Sequence, residues 1–147
     1  MKLTSRSEYA LLALVYLARQ PSETYISVES IATAQGIPPK FLEQILLLLK
    51  RGRYLISVKG QHGGYRLAKN PRDINVAEIV RVLDGRLAPS TSVSKNFYQT
   101  SPIEREPSLV SLFANVRDCI LGILENTTLA DLCGEVTTND GHGKPTP

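Results

Sequence analysis

Cysteine is scarce in this sequence: 147 residues contain two, Cys119 and Cys133. Two thiols cannot frame a disulfide-rich fold, and with 42% hydrophobic residues the chain has enough apolar material to build a core without one. Long apolar runs are missing too. The aliphatic stretch Ile45 to Leu49 falls well short of the roughly 18 uninterrupted apolar residues of a membrane span. Met1-Lys2-Leu3-Thr4-Ser5-Arg6 leads straight into an amphipathic pattern, with no apolar core and small-residue cleavage site of an export signal. A cytoplasmic protein without a membrane partner is therefore expected. Histidine is equally rare. His62 and His142 lie in glycine-rich surroundings and have no plausible set of metal partners, so no metal site is expected from them.

What is present is unevenly distributed. The net charge is +3, but residues 1–86 hold 13 Lys/Arg against 7 Asp/Glu, or +6, while residues 87–147 hold 4 against 7, or −3. A basic front suits a polyanion, although solvated surface lysines and arginines account for the same excess.

Tyr9, Leu12, Ala13, Tyr16 and Leu17 recur at helical spacing between Arg6 and Gln20, and Pro21 ends that helix. Ile26 reads as a short extended piece, and Ser27 can cap a second helix from Val28 to Gln35. Gly36 breaks it, and Pro38-Pro39 open a third helix reaching Arg51. Leu42, Ile45, Leu46 and Leu49 form its inward face, leaving Lys40, Glu43, Gln44 and Leu47 on the other. Residues 55–58 and 65–68 are β-compatible and are joined by Lys59-Gly60-Gln61-His62-Gly63-Gly64, a β-hairpin whose glycines admit positive φ. A short helix from Val76 to Leu83 follows, with Asn75 as its cap and Asp84-Gly85 as its stop.

Residues 86–106 have no clean period, and 21 residues without secondary structure is long for a compact domain. A helix from Pro107 to Asn126 then carries Leu109, Leu112, Phe113, Val116, Ile120, Ile123 and Leu124 on one face, more apolar surface than a small domain needs for its own core. That face is expected to meet a second copy of the chain. Thr128 to Leu132 makes one more turn, and residues 134–147 read as a disordered tail. Cys119, three residues after Val116, is expected to be buried and inert, with Cys133 the more exposed thiol.

A helix-turn-helix requires a small residue where its helices touch and a turn residue that tolerates positive φ. Ala32 and Gly36 meet those demands. Three helices followed by a hairpin form the order of a winged helix-turn-helix, whose third helix enters the major groove while the wing lies at the minor groove. The fold class expected is thus mainly α with a small β-hairpin, divided into a winged helix-turn-helix over residues 1–85, a loop over 86–106, a dimerisation helix and turn over 107–133, and a tail. Lys40, Glu43 and Gln44 are candidates for base edges: Glu accepts from cytosine, Gln pairs with adenine, and Lys reaches guanine or phosphate. Lys59, Gly60, Gln61, His62 and Arg66 belong to the wing, where a narrow minor groove attracts cations. Lys50 and Arg51 contact phosphate or cap their helix; both roles stay open.

Leu3-Thr4 with Tyr9-Ala10-Leu11, Phe41-Leu42-Glu43-Gln44-Ile45-Leu46, Ser57-Val58-Lys59-Gly60, Gly63-Gly64-Tyr65-Arg66-Leu67-Ala68 and Leu83-Asp84-Gly85 together resemble the Rrf2 family. These are bacterial winged-helix transcription regulators of the IscR, NsrR, RirA and CymR types. The resemblance implies a homodimer joined through the long helix, double-stranded DNA with a partly palindromic operator as partner, and Phe41 among the DNA-binding residues. Cluster-binding members of the family place three cysteines in the loop before the dimer helix, and residues 86–106 contain none. No cofactor is therefore expected, the effector being a small ligand, a protein partner or thiol oxidation, or there being none. Some members add a ligand from the first helix, where Glu8 lies; without the cysteines it reads as a surface residue. No catalytic constellation is evident, and the glycine-rich hairpin tip lacks the ending of a phosphate loop. Two further readings stay open, a winged helix that binds protein and a regulator with an atypically ligated iron–sulfur cluster.

Overall fold

The computed structural model describes residues 3–85, 87, 93–95 and 99–134. Among these, six helices and one hairpin follow in the order α1 (Ser5–Ala18), α2 (Val28–Gln35), α3 (Pro39–Arg51), β1 (Leu55–Val58), β2 (Gly64–Leu67), α4 (Val76–Asp84), α5 (Pro107–Glu125) and α6 (Leu129–Cys133). This is the mainly helical winged helix-turn-helix expected from the sequence.

Thr4 caps α1, its hydroxyl accepting from the Ser7 N–H, and the helix turns Ala10, Ala13, Leu14 and Leu17 inward. Leu12, expected on that face, is 43% exposed instead. The buried set runs at offsets of 0, 3, 4 and 7 from Ala10, which points position 12 away from it. Ser27 caps α2 through the Ser30 N–H at 3.1 Å, and Gly36 ends the helix in the left-handed region at φ 66°. The Ile37 N–H then reaches back to the Ala32 carbonyl at 3.0 Å, so α2 closes tightly before Pro39 starts α3. Leu42, Ile45, Leu46 and Leu49 are each at most 1% exposed. Burying four such side chains supplies about 1.5–3 kcal/mol each and fixes the rotation of α3 about its axis.

β1 and β2 pair antiparallel with Leu55 opposite Leu67 and Val58 opposite Gly64, so the second strand starts and ends one residue earlier than the pattern suggests. Ile26 bridges to Tyr65 through reciprocal backbone bonds of 2.9 and 2.8 Å, fastening the α1–α2 connection to the wing. This explains the double glycine. A Cβ at Gly64 would overlap the Ile26 carbonyl, and one at Gly63 the Val58 carbonyl. Of the three wing glycines only Gly60 adopts a positive φ, at 117°.

A capping box of Asn75 and Glu78 starts α4. Part of residues 86–106 is ordered against the body of the chain: Leu87 packs with Val76, Ala77, Val80 and Leu121, Val93 is buried, and Pro102–Arg105 forms a 3-10 turn where no secondary structure was expected. Residues 86, 88–92 and 96–98 lie outside the described residues, as does the expected tail beyond Gly134. After α5 the chain returns to the winged domain. The Val76 N–H donates to the Thr127 carbonyl and the Leu129 N–H to the Ile74 carbonyl, both at 2.9 Å, and Leu129 is fully buried in the core formed by α1, α2 and α3.

Candidate nucleic-acid interface

Lys40, Glu43, Gln44 and Leu47 are all exposed along one face of α3, backed by the buried leucines and isoleucine of the opposite face. Phe41 is half-buried, its ring meeting that of Tyr9 edge-on at 5.7 Å. That contact pins the first turn of α3 to α1, so Phe41 positions Lys40 rather than standing free. Lys50 and Arg51 occupy the last turn, exposed, where their charge also complements the helix dipole.

Lys59, Gly60, Gln61 and His62 are exposed at the wing tip, which is closed by a bond from the Gly63 N–H to the Gly60 carbonyl at 3.0 Å. The wing stands close to the α3 stripe. Burial raises the pKa of the Tyr65 phenol on β2, and the nearby Glu43 carboxylate raises it further. A groove of about 370 Å³ separates the two elements, with Leu47, Lys50, Val58 and Lys59 in its lining.

Arg66 is placed differently from the other wing cations. Its guanidinium donates to a Glu23 carboxylate oxygen at 2.9 Å and to the Ser22 carbonyl at 3.2 Å, and sits 4.9 Å from the centre of the Tyr25 ring. These contacts tie β2 to the α1–α2 connection. Glu23 and Tyr25, more than 40 positions away in the chain, gave no local signal of such a pairing.

The face of α5 assigned to dimerisation divides in two. Leu109, Leu112, Val116 and Ile123 are exposed, the last at 68%, whereas Phe113 and Ile120 are half-buried and Leu124 packs against the α4–Leu121 cluster of its own chain. The exposed set, with Cys119, advances by alternating steps of three and four, the spacing of a helix–helix seam. Cys119 is thus exposed rather than buried. Cys133, expected to be the exposed thiol, is half-buried because α6 packs on α1, its Sγ lying 3.7 Å from the Val15 carbonyl.

Asp84, which reads in the sequence as a helix stop within the Leu83-Asp84-Gly85 motif, joins the ends of the winged domain. Its carboxylate accepts from the Thr4 N–H at 3.1 Å, the Thr4 hydroxyl at 2.5 Å and the fully buried Ser7 hydroxyl at 2.7 Å. Burial works to raise the Asp84 pKa, but the bonds from Thr4 and Ser7 and the charge of Arg6 outweigh it and hold the group below its usual value.

The family model for Rrf2, described as an iron-dependent transcriptional regulator, matches residues 3–135. The chain belongs to the Rrf2 family. An HTH-type transcriptional regulator of Rhodobacter capsulatus described as rrf2-like is 38% identical over 136 residues, covering 88% of this chain and 91% of that protein. The structure of Bacillus subtilis CymR, the global cysteine regulator of that organism, superposes with a TM-score of 0.73 at 30% identity, over 90% of this chain and 96% of the other. IscR of T. potens gives 0.69 at 32% identity over 90% and 85%. This Rrf2 chain is therefore a transcription regulator with a DNA-binding fold, and not an enzyme.

The family description names iron, and an iron–sulfur cluster needs converging thiolate or other donor side chains. Among the described residues no three His, Cys, Asp or Glu side chains converge on a metal-sized site. The remaining stretches of the 86–106 loop contain only Arg, Ala, Pro, Ser, Thr, Asn, Phe and Tyr. Glu8 is exposed on α1. These residues do not fit the three-thiolate ligation of an iron–sulfur cluster.

Proposed function

We propose that this Rrf2 regulator acts in the cytoplasm as a homodimeric repressor, binding a partly palindromic operator. The observation that carries the reading is the exposed Lys40–Glu43–Gln44 stripe, rigidly backed and set beside a cation-bearing wing. Glu43 and Gln44 then address base edges in the major groove, and Lys40 a guanine or a phosphate. Lys59 and the exposed Gly60-Gln61-His62 tip follow the minor groove, while Lys50 and Arg51 meet phosphates. Arg66 serves the interface by holding the wing to Glu23 and Tyr25.

The exposed seam of α5 supports pairing with a second copy. By length and composition α5 could also cross a membrane. Arg117 and Asp118 in its middle argue against that, since a charge at the bilayer centre costs about 2.5–3.5 kcal/mol on insertion scales. A two-fold protein matches a two-fold operator. The effector is read as something other than a conventional three-cysteine cluster: a small ligand, a protein partner or an oxidant acting on a thiol.

Selection of bound sequences from a random duplex pool by the full-length protein tests this reading. A consensus with two-fold symmetry is expected, and Glu43→Ala should relax one position in each half-site, a contact worth about 1–3 kcal/mol. A consensus unchanged by Glu43→Ala removes Glu43 from base readout, and enrichment of no sequence rejects the operator. Iron and sulfide analysis after anaerobic purification checks the effector reading, which stoichiometric iron would overturn.

A further inference from the structure

Leu47 is the apolar member of the exposed face of α3, 44% accessible on a helix whose inward leucines are sealed. A single exposed leucine is ordinary on a protein surface and implies nothing by itself. Its position carries the argument. Lys40, Glu43, Gln44 and Leu47 stand at offsets of 0, 3, 4 and 7, the spacing at which one helix face meets base edges. The rise from Lys40 to Leu47 is about 10.5 Å, or roughly three base steps of 3.4 Å. Leu47 therefore falls within reach of the bases that Glu43 and Gln44 address.

The surroundings favour DNA as what covers it. Leu47 and Val58 line the groove between α3 and the wing together with Lys50 and Lys59. Neither lysine is ion-paired among the described residues. Glu29, in the first turn of α2, is the acidic residue of the lining. An apolar strip rimmed by free cations and continuous with the base-reading stripe suits a polyanion that also offers an apolar group. In the major groove that group is the C5-methyl of thymine.

We propose that Leu47 reads a thymine methyl in each half-site, and so contributes to operator specificity without a hydrogen bond. The proposal rests on α3 entering the major groove. It is tested on the operator selected by the full-length protein, with each thymine replaced singly by deoxyuridine, which removes the methyl and keeps every hydrogen-bonding group. One position per half-site is expected to lose about fourfold in affinity, the equivalent of one buried methyl. Leu47→Ala should bind the thymine duplex more weakly and abolish the preference for thymine over deoxyuridine there, with the salt dependence of binding unchanged because no phosphate contact is lost. A thermal melt matching the unsubstituted protein confirms that this exposed substitution leaves the fold intact. A specific complex indifferent to deoxyuridine, or a Leu47→Ala protein that keeps the preference, overturns the proposal alone. Failure to form any sequence-specific complex overturns both it and the major-groove reading. Loss of affinity on Leu47→Ala that is equal for thymine and deoxyuridine assigns Leu47 to sugar or protein contact and rejects methyl readout.

Discussion

Removing the Asp84 carboxylate should destabilise the winged domain far more than its place at a helix end suggests. Hydrogen bonds to a charged group contribute about 1.5–3 kcal/mol each, and a buried polar group left unpaired costs about 1–3 kcal/mol. Thr4 is exposed, so water replaces Asp84 there at little cost. Ser7 is fully buried, and Asp84→Ala leaves its hydroxyl without that acceptor. The expected loss is about 2–4 kcal/mol, large against the 5–15 kcal/mol of a typical domain. Urea unfolding followed by far-UV circular dichroism at fixed protein concentration measures it. Ser7→Ala combined with Asp84→Ala should cost about 1–2 kcal/mol less than the two single losses added, because the orphaned hydroxyl is gone. The folded pKa of Asp84 lies below its unfolded value near 4. The contribution of the carboxylate is therefore complete above about pH 4 and disappears as pH falls through the folded value, so the deficit of Asp84→Ala should shrink in acid. A loss under about 0.5 kcal/mol at pH 7, or purely additive losses in the double variant, would refute the clamp.

Four further outcomes are expected. Gly36→Ala meets no neighbouring atom but must hold φ near 66°, so it should cost about 1–2 kcal/mol in the same unfolding assay, and a neutral substitution would contradict the left-handed turn. Gly64→Ala forces a Cβ into the Ile26 carbonyl; a cost of about 1–3 kcal/mol and faster amide exchange at Tyr65 are expected, and unchanged exchange would disprove the bridge. Lys59→Ala should lower the slope of log affinity against log salt by about 0.9 per lost phosphate contact, and an unaltered slope would exclude the wing from the DNA. Ile123→Asp, at a position 68% exposed in the single chain, should leave folding intact and shift the protein to a monomer in analytical ultracentrifugation; a persistent dimer would place the interface elsewhere.

The features legible in the sequence are those set by neighbours within one or two helical turns. Gly36 and Ala32 announce the turn because helix termination is local, and the α3 stripe is legible because 3.6-residue periodicity sorts Leu42, Ile45, Leu46 and Leu49 from Lys40, Glu43 and Gln44. What escapes is set by contacts between distant segments. The Asp84 clamp spans about 80 positions and the Arg66–Glu23 pair 43, and no local pattern encodes either. The wing glycines show the intermediate case. Their clustering marks a hairpin, but the reason for Gly63 and Gly64 is the close passage of other backbone, visible only once Ile26 is seen against Tyr65. Cys119 reads as buried in the sequence because α5 is apolar on two faces. One covers α4 and the other, with Cys119, is open, while one periodic stripe cannot say which is which.

That double-faced helix is no appendage to the reading head. Glu125 at the end of α5 accepts from Arg81 of α4 at 2.6 Å, Arg117 donates to the Val93 carbonyl at 3.0 Å, and Leu121 lies in the cluster that also holds Leu87. Beyond α5, Leu129 enters the core shared by α1, α2 and α3, and α4 ends in Asp84, which holds the start of α1. α5 and Leu87 are thus packed on α4, and α4 is joined through Asp84 to α1. The edge-on contact of Tyr9 with Phe41 continues the chain of contacts to the first turn of α3, beside Lys40. Every link is a packed or hydrogen-bonded contact within one protomer. Two such chains meeting along their exposed α5 seams would hold both recognition helices at one spacing, and an altered seam would change that spacing before it changed any residue facing DNA.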